Sequence, residues 1–414
     1  MTGDFLFYTI IAILVLNYVK EEWISYANAK RFNDPIPKEL QDVYDADAYQ
    51  KSQKYKQTNY RFSTLSGVFS FVVTLMFFML NGVAWVDEIS KQLTEHSLLQ
   101  SLLFFGIIGL ASSILQVPFS YYHTFVIEEN FGFNKSTPKI FWLDKLKGLL
   151  MSLLIGGGLL SLVVWLYQQM QNNFWWYAWL VFTLFSVVMT LFYSNLIVPL
   201  FNKQTPLEEG SLRQKLAAYA KAQGFKLSDI FVIDGSKRST KANAYFTGFG
   251  AKKRIVLYDT LIHDLTEEEI VAVFAHEVGH YKKKHTLYNM LLSLLLTGVT
   301  LYILGLLLGN PLLADAFDVP NSSFHIGLLA FGVLYSPISE ITSLLMNILS
   351  RKFEYQADDF AKETYGANPL ISSLKKLSKN SLSNLTPHKW NVFFHYSHPT
   401  LLQRVLNLKK TQIS

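Results

Sequence analysis

Residues 274–296 read "FAHEVGHYKKKHTLYNMLLSLLL", and the two halves of this stretch make opposite demands on their surroundings. The first half holds the pattern His-Glu-x-x-His, as His276, Glu277 and His280. The second half runs into an apolar segment with the composition of a membrane helix. Residues four apart share one face of a helix, so His276 and His280 can grip the same ion. Glu277 stands beside that face, placed to hold a water against a zinc ion whose charge lowers the water's pKa toward ~7. Glu277 can take that proton and later deliver it to a leaving amine. Just upstream, Thr266 can cap the helix and Glu269 can close a capping box, so an unbroken helix is predicted through His280. Chemistry that consumes water is thus placed at the mouth of a bilayer helix.

Composition explains the second half. Half of the 414 residues are hydrophobic and only 16% are charged, against about 25% in soluble domains. The net charge of +6 comes with this membrane-type composition, and no nucleic-acid partner is expected. There are no cysteines, which excludes disulfides, thiolate-bound zinc and a thiol nucleophile. Seven apolar stretches of spanning length are predicted, at residues 5–19, 62–86, 98–127, 149–167, 174–199, 287–308 and 324–349. Pro118 lies in the third, where a kink is expected. Of the 37 basic residues, only Lys91 falls in the connections on one side of these spans. That alternation predicts the N-terminus outside and the C-terminus, with the His-Glu-x-x-His segment, in the cytosol.

The spans divide the chain into residues 1–200 (five spans with cytosolic loops), 201–285, 286–349 (spans six and seven) and 350–414. Residues 201–285 should form a small cytosolic α+β unit. An amphipathic helix is expected at 212–225, ending at Gly224, and strands at 229–233, 243–248 and 254–258.

A catalytic zinc takes a third protein ligand and keeps one position open. "SRKFEYQAD", residues 350–358, follows the last span and offers Glu354 and Asp358 four apart on a predicted helix. Glu354 is the expected third ligand. Asp358 is expected to accept the outer N–H of a zinc histidine and so fix its tautomer. The tail, "FFHYSHPTLLQR" at 393–404, adds His395 and His398, neither of which is needed as a ligand. One of them can donate to the oxyanion of a tetrahedral intermediate, the alternative being a structural loop histidine before Pro399. His285 is expected to face elsewhere on the His276 helix and not to ligate, and Lys282–Lys284 to mark the edge of span six.

Taken together, "HEVGH", "SRKFEYQAD", "DGSKRSTKANAYFTGF" and "FHYSHPTLLQR", in this order among seven spans, resemble the type I CAAX prenyl proteases. These are integral-membrane zinc metalloproteases that process farnesylated proteins. The resemblance covers essentially the whole chain. It implies a membrane all-α bundle of seven transmembrane helices enclosing a water-filled chamber, with a cytosol-facing α+β zinc metalloprotease portion. It implies one zinc per chain on His276, His280 and Glu354, Glu277 as general base, and His398 as transition-state stabiliser. It also implies an edge strand on which Asn243, Ala244 and Tyr245 lie along the substrate. The family commonly has His where this chain has Lys241, so no role carries over there. Arg404 matches a recurrent tail arginine, for which a structural role and a contact to the substrate carboxylate both stand. Glu340, at membrane depth in span seven, is expected either to line the chamber or to pair helices.

The expected substrate is a peptide or the C-terminus of a prenylated protein, met at the lipid bilayer by a monomer. Compact outer loops and total length favour a bacterial inner membrane, with the endoplasmic reticulum as the counterpart in a eukaryote. A heat-shock type membrane metalloprotease would have fewer spans. A site-2 type protease would carry its motif inside a span. A non-catalytic zinc-containing transporter or scaffold would have no need of Glu277.

Overall fold

The computed structural model describes residues 2–170, 173–225, 227–247 and 253–410. Among them are seven segments long and apolar enough to cross a membrane, the seventh bent. The first two are α1 (Gly3–Ala29) and α2 (Ala46–Met79). A short amphipathic helix, α3 (Gly82–Leu93), leads into α4 (Ser97–Tyr122), which continues through a wider π-type turn at His123–Glu128. The fourth span joins α5 (Pro138–Met151) to α6 (Gly157–Met170) through a second such turn at Ser152–Gly156. The fifth is α7 (Phe174–Leu196) with the short α8 (Val198–Phe201).

A small α/β layer follows. It consists of β1 (Gln204–Pro206), α9 (Ser211–Ala222), β2 (Leu227–Ile233), β3 (Ala244–Thr247), β4 (Lys253–Tyr258), α10 (Asp259–Asp264) and α11 (Glu267–Lys282). The sixth span is α12 (His285–Leu307). After α13 (Pro311–Asp315), the seventh is α14 (Phe324–Leu334) plus α15 (Ser336–Thr364). The chain closes with α16 (Ala367–Asn380), α17 (Lys389–His395) and α18 (Leu401–Lys409).

The bundle is hollow. In the six straight spans, only 6–17% of each apolar window is buried. Residues 109–116 of α4 are all exposed, and eight residues cover more than two turns, so no face of the helix is packed there. A solid bundle would bury a stripe along every helix. Here one face meets lipid and another opens onto an interior chamber.

Several predicted boundaries change. Span two stops at Met79, because Asn81 takes a left-handed conformation (φ 55°) and residues 82–86 belong to α3. Span one is a full 27-residue helix rather than a short one. Pro118 sits inside α4 without ending it, and the helix loosens downstream into the π turn. Span seven bends by 54° at Tyr335, just before Pro337, whose ring removes a backbone donor. The sheet has four strands in the order β1-β2-β4-β3, with β2 and β4 parallel and the other pairs antiparallel. The fourth strand, β1, is an edge strand and therefore tolerates Pro206. The predicted strand at 243–248 becomes β3 on the opposite edge, and its last residue, Gly248, lies outside the described residues. The predicted helix at 212–225 is α9, closed by Gly224 at φ +58°.

The end of the ring remote from α11 is tied by a buried polar latch. His325 of α14 and Asp87 of α3 are 1% and 3% exposed, and His325 Nε2 bonds Asp87 Oδ1 at 2.8 Å. Lys91 reaches the other Asp87 oxygen at 2.5 Å, and Ser101 Oγ of α4 lies 3.1 Å from His325 Nδ1. Ser101, His325 and Asp87 thus line up in the order of a hydrolytic triad, but Ser101 is 1% exposed and no substrate can reach it. The cluster is a fastener between α3, α4 and α14. His325→Ala should cost on the order of 3 kcal/mol, seen as a melting-temperature drop of roughly 5 °C in detergent. An unchanged melt would show that the latch holds nothing.

Candidate metal centre

α11 begins with the capping box expected from its sequence: Glu269 N donates to Thr266 Oγ1 at 3.4 Å and Thr266 N to Glu269 Oε2 at 2.8 Å. Its buried side, including Phe274, Ala275 and Val278, packs on the core shared with β4, α9 and α18. The helix then crosses α15 at very short range. A Cβ on Gly279 would lie 3.0 Å from Ala357 Cα and 3.1 Å from the Ala357 carbonyl oxygen, so no larger residue fits without moving backbone. Ala357 and Ala361 are fully buried, which keeps the α15 side of the crossing equally flat.

This crossing brings together side chains from the two predicted i, i+4 pairs. His276 Nε2 and His280 Nε2 converge to 3.1 Å. Glu354 Oε1 lies 3.2 Å from His280 Nε2, and Oε2 lies 3.4 Å from His276 Nε2. A tetrahedron with metal–ligand bonds of 2.0–2.1 Å has edges of about 3.3–3.4 Å; the two imidazole nitrogens lie near that spacing, each faces one oxygen of the same carboxylate, and one ligand atom from each of the three residues lies within 4.8 Å of the others. Glu354 is buried, and its Oε2 accepts no hydrogen bond among the described residues, its charged neighbours being His276 Nε2 at 3.4 Å and Arg404 Nη1 at 3.5 Å. A buried carboxylate oxygen without a donor is costly, and a cation between the three ligand atoms removes that cost. These are the residues that could hold a metal.

Each histidine is oriented from behind. His276 Nδ1 donates to Asp358 Oδ1 at 2.8 Å, which leaves its Nε2 lone pair facing the ion site. Arg404 of α18 grips the same carboxylate with two bonds, Nε to Oδ2 at 2.9 Å and Nη2 to Oδ1 at 2.5 Å. Arg404 Nη2 also lies 3.3 Å from His276 Nδ1, but that nitrogen's proton already points at Asp358, so the approach is not a hydrogen bond. In the metal-free protein the His276 pKa is raised to about 9: burial alone would lower it, but the bond to Asp358 and the Glu354 carboxylate close by outweigh burial. A metal therefore has to displace a proton from His276 at neutral pH.

His280 is supported by a different residue, His285. The helix break at Lys283 and Lys284 (φ 59°) puts His285 at the start of α12. His285 is therefore not on the His276 helix facing away, as expected, but turned back toward the site. His285 Nε2 donates to Gln356 Oε1 at 2.8 Å, its Nδ1 accepts from His280 Nδ1 at 3.0 Å, and its ring stacks on Phe353 at 4.1 Å. This relay leaves His280 Nε2 free for a metal. A left-handed lysine carries no sequence signature, so the relay was not readable.

The remaining residues separate into two groups. His398 reaches the centre: its Nε2 is 3.3 Å from Glu354 Oε1, its Nδ1 is 2.9 Å from Ser397 Oγ, and its ring is exposed. Glu277 is half-buried, and its carboxylate makes no hydrogen bond to any described residue. His395, in contrast, pairs with Glu21 of α1 at 3.2 Å. Glu340 pairs with Lys20 of α1, which makes it a helix-pairing group. At the start of β3, Asn243 Oδ1 accepts from Ala244 N at 2.8 Å and Gln204 Nε2 donates to the Tyr245 hydroxyl at 3.4 Å, while the outer edge of the strand pairs with no strand among the described residues. Lys241 ties this segment to the spans, donating to Glu128 Oε2 at 2.8 Å and Tyr55 Oη at 3.0 Å, with its ammonium over the Phe133 ring.

Residues 25–203 match the family described as CAAX prenyl protease N-terminal, five membrane helices, and residues 206–412 match peptidase family M48. The chain is 36% identical to the CAAX prenyl protease 1 homolog of Dictyostelium discoideum, over 97% of this chain and 96% of that one. It is 33% identical to the human CAAX prenyl protease 1 homolog, over 90% and 88% respectively. The crystal structure of S. mikatae Ste24p superposes with a TM-score of 0.93 at 32% identity, over 99% of this chain and 100% of that one.

His285→Leu removes the acceptor for His280 Nδ1 and should weaken metal binding roughly 10–100-fold. Metal titration of the apoprotein would show it. The same titration should give weaker binding at pH 6 than at pH 8 in both proteins, because His276 holds its proton more firmly as pH falls below about 9. Equal affinity in His285→Leu and the parent would remove the relay from the account.

Proposed function

The chain belongs to peptidase family M48 and its CAAX prenyl protease branch, a multi-pass membrane metallopeptidase, and on that premise we propose that its metal is zinc and its substrate a prenylated C-terminal peptide. The observation that carries the reading is the convergence of His276, His280 and Glu354 at 3.1–3.4 Å beside an uncommitted Glu277, at the rim of a hollow membrane bundle. One zinc, held by these three residues with an open position, would supply Lewis acidity and an acidified water.

The chain's own groups divide the rest of the work. Glu277 is one residue from His276, has no competing hydrogen bond, and takes the proton that it later returns to the leaving amine. His398 accepts at Nδ1 from the Ser397 hydroxyl, so that Nε2 carries the proton and can donate to the developing oxyanion. The unpaired edge of β3, from Ala244 to Thr247, offers backbone N–H and C=O groups to an extended peptide whatever its side chains. Asn243 and Tyr245 flank that edge and are held by their own bonds. Arg404 is occupied by Asp358 and acts as a structural support for His276 rather than as a carboxylate receptor. The prenyl chain gives the hollow bundle its purpose, since a lipid-bearing peptide needs apolar walls beside aqueous chemistry.

Residues 201–285 and 350–414 lie in the cytosol on this reading, with the N-terminus outside, because the basic residues concentrate on that side. The protein acts as a monomer, since one chain supplies every group of the centre.

With farnesylated and unmodified peptides of one sequence, the zinc-loaded protein should cleave the farnesylated form with the higher kcat/KM. Glu277→Gln should lower kcat on the order of 10²–10⁴-fold with metal content unchanged. Equal cleavage of the two peptides would remove prenyl selectivity, and normal turnover by Glu277→Gln would remove the assigned base.

A further inference from the structure

A cleft of about 830 Å³ opens where the fourth and fifth spans meet the sheet, and four cations line it: Lys147 of α5, Lys203, Lys237 and Arg254 of β4. No carboxylate among the described residues lines it. Asp144, one turn before Lys147, is taken by Arg238 through two bonds of 2.7 and 2.9 Å. Asp234 accepts from Asn202 Nδ2 at 3.0 Å and Lys203 N at 2.8 Å. Two of the cations are held in place by neutral partners. Lys147 Nζ donates to the Leu200 carbonyl at 2.7 Å, and Arg254 Nη1 donates to Asn195 Oδ1 at 2.6 Å with its guanidinium over Phe231. Among the described residues, the Lys203 and Lys237 ammonium groups have no hydrogen-bond or ion-pair partner.

The surroundings are those of a bilayer boundary. Lys147 sits on the helix face that continues as Leu150 and Leu154, at i+3 and i+7, which are 50% and 72% exposed. Leu200, beneath the Lys147 ammonium, is 46% exposed. A soluble anion would use the cations and leave this apolar surface bare. A phospholipid uses both, with its phosphate among the cations and its chains along the leucines. We propose that this cleft binds the phosphate-bearing headgroup of an anionic membrane phospholipid. Concentrated basic groups at a membrane surface each strengthen such binding by roughly five-fold. The bound lipid would fasten the ends of the fourth and fifth spans to the sheet that carries the β3 edge.

The test uses the full-length protein in detergent and native mass spectrometry with phosphatidylglycerol and phosphatidylcholine. Phosphatidylglycerol should be retained in preference. K147Q/K203Q/K237Q should weaken its binding roughly 10–100-fold and leave phosphatidylcholine binding and metal content unchanged. K51Q/K54Q/K139Q, which removes the same charge from other exposed lysines near the spans, should leave the preference intact. If the triple cleft variant loses its metal, K203Q/K237Q, whose ammonium groups bond no described residue, gives the answer instead. No preference for phosphatidylglycerol overturns the proposal, as does an equal loss in the control variant. Displacement of the lipid by millimolar inorganic phosphate would also overturn it, by making the cleft a site for a soluble anion.

Discussion

The close crossing of α11 and α15 is the constraint on which the site depends. Gly279 has no room for a Cβ against the Ala357 backbone, so the two helix axes can approach only with a glycine on one side and alanine on the other. At that separation, a short carboxylate arm from α15 reaches two imidazoles on α11. Each helix contributes two polar groups one turn apart: His276 and His280 on one, Glu354 and Asp358 on the other. A wider crossing would leave Glu354 short of one histidine, and the carboxylate could no longer face both imidazoles.

The crossing also gathers charge that would be unfavourable without partners. Glu354 and Asp358 are buried, and the fork of the partly buried Arg404 closes on Asp358. The two histidines are locked in opposite ways, one by a carboxylate and one by a second imidazole backed by Gln356. Both arrangements leave Nε2 bare toward the same point. The far end of the bundle is closed by separate means, through His325 and Asp87, so the chamber can stay open between two independently fixed rims.

Much of this could be read from the sequence, because the informative features are local. The capping box, the His276–His280 pair and the Glu354–Asp358 pair each follow from helix periodicity within a few residues. The seven spans follow from composition. Features set by distant residues or by rare backbone conformations could not be read. Asn81 and Lys284 adopt left-handed conformations without being glycine, and these two residues moved the end of span two and turned His285 toward the centre. His395 and His398 have the same chemistry three residues apart, and only the fold sends one to Glu21 and the other to Glu354. Lys241 acquires its place from Glu128 and Tyr55, more than a hundred residues away in the chain.

The central claim is that two imidazoles and one carboxylate, drawn from two crossing helices, make one tetrahedral site. Zinc-edge X-ray absorption on the purified, zinc-loaded protein addresses it directly. The expected spectrum is that of a four-coordinate shell of nitrogen and oxygen at about 2.0–2.1 Å, with scattering from two imidazole rings. A shell with three imidazoles, placing His398 where Glu354 should be, or a six-coordinate shell, would contradict it.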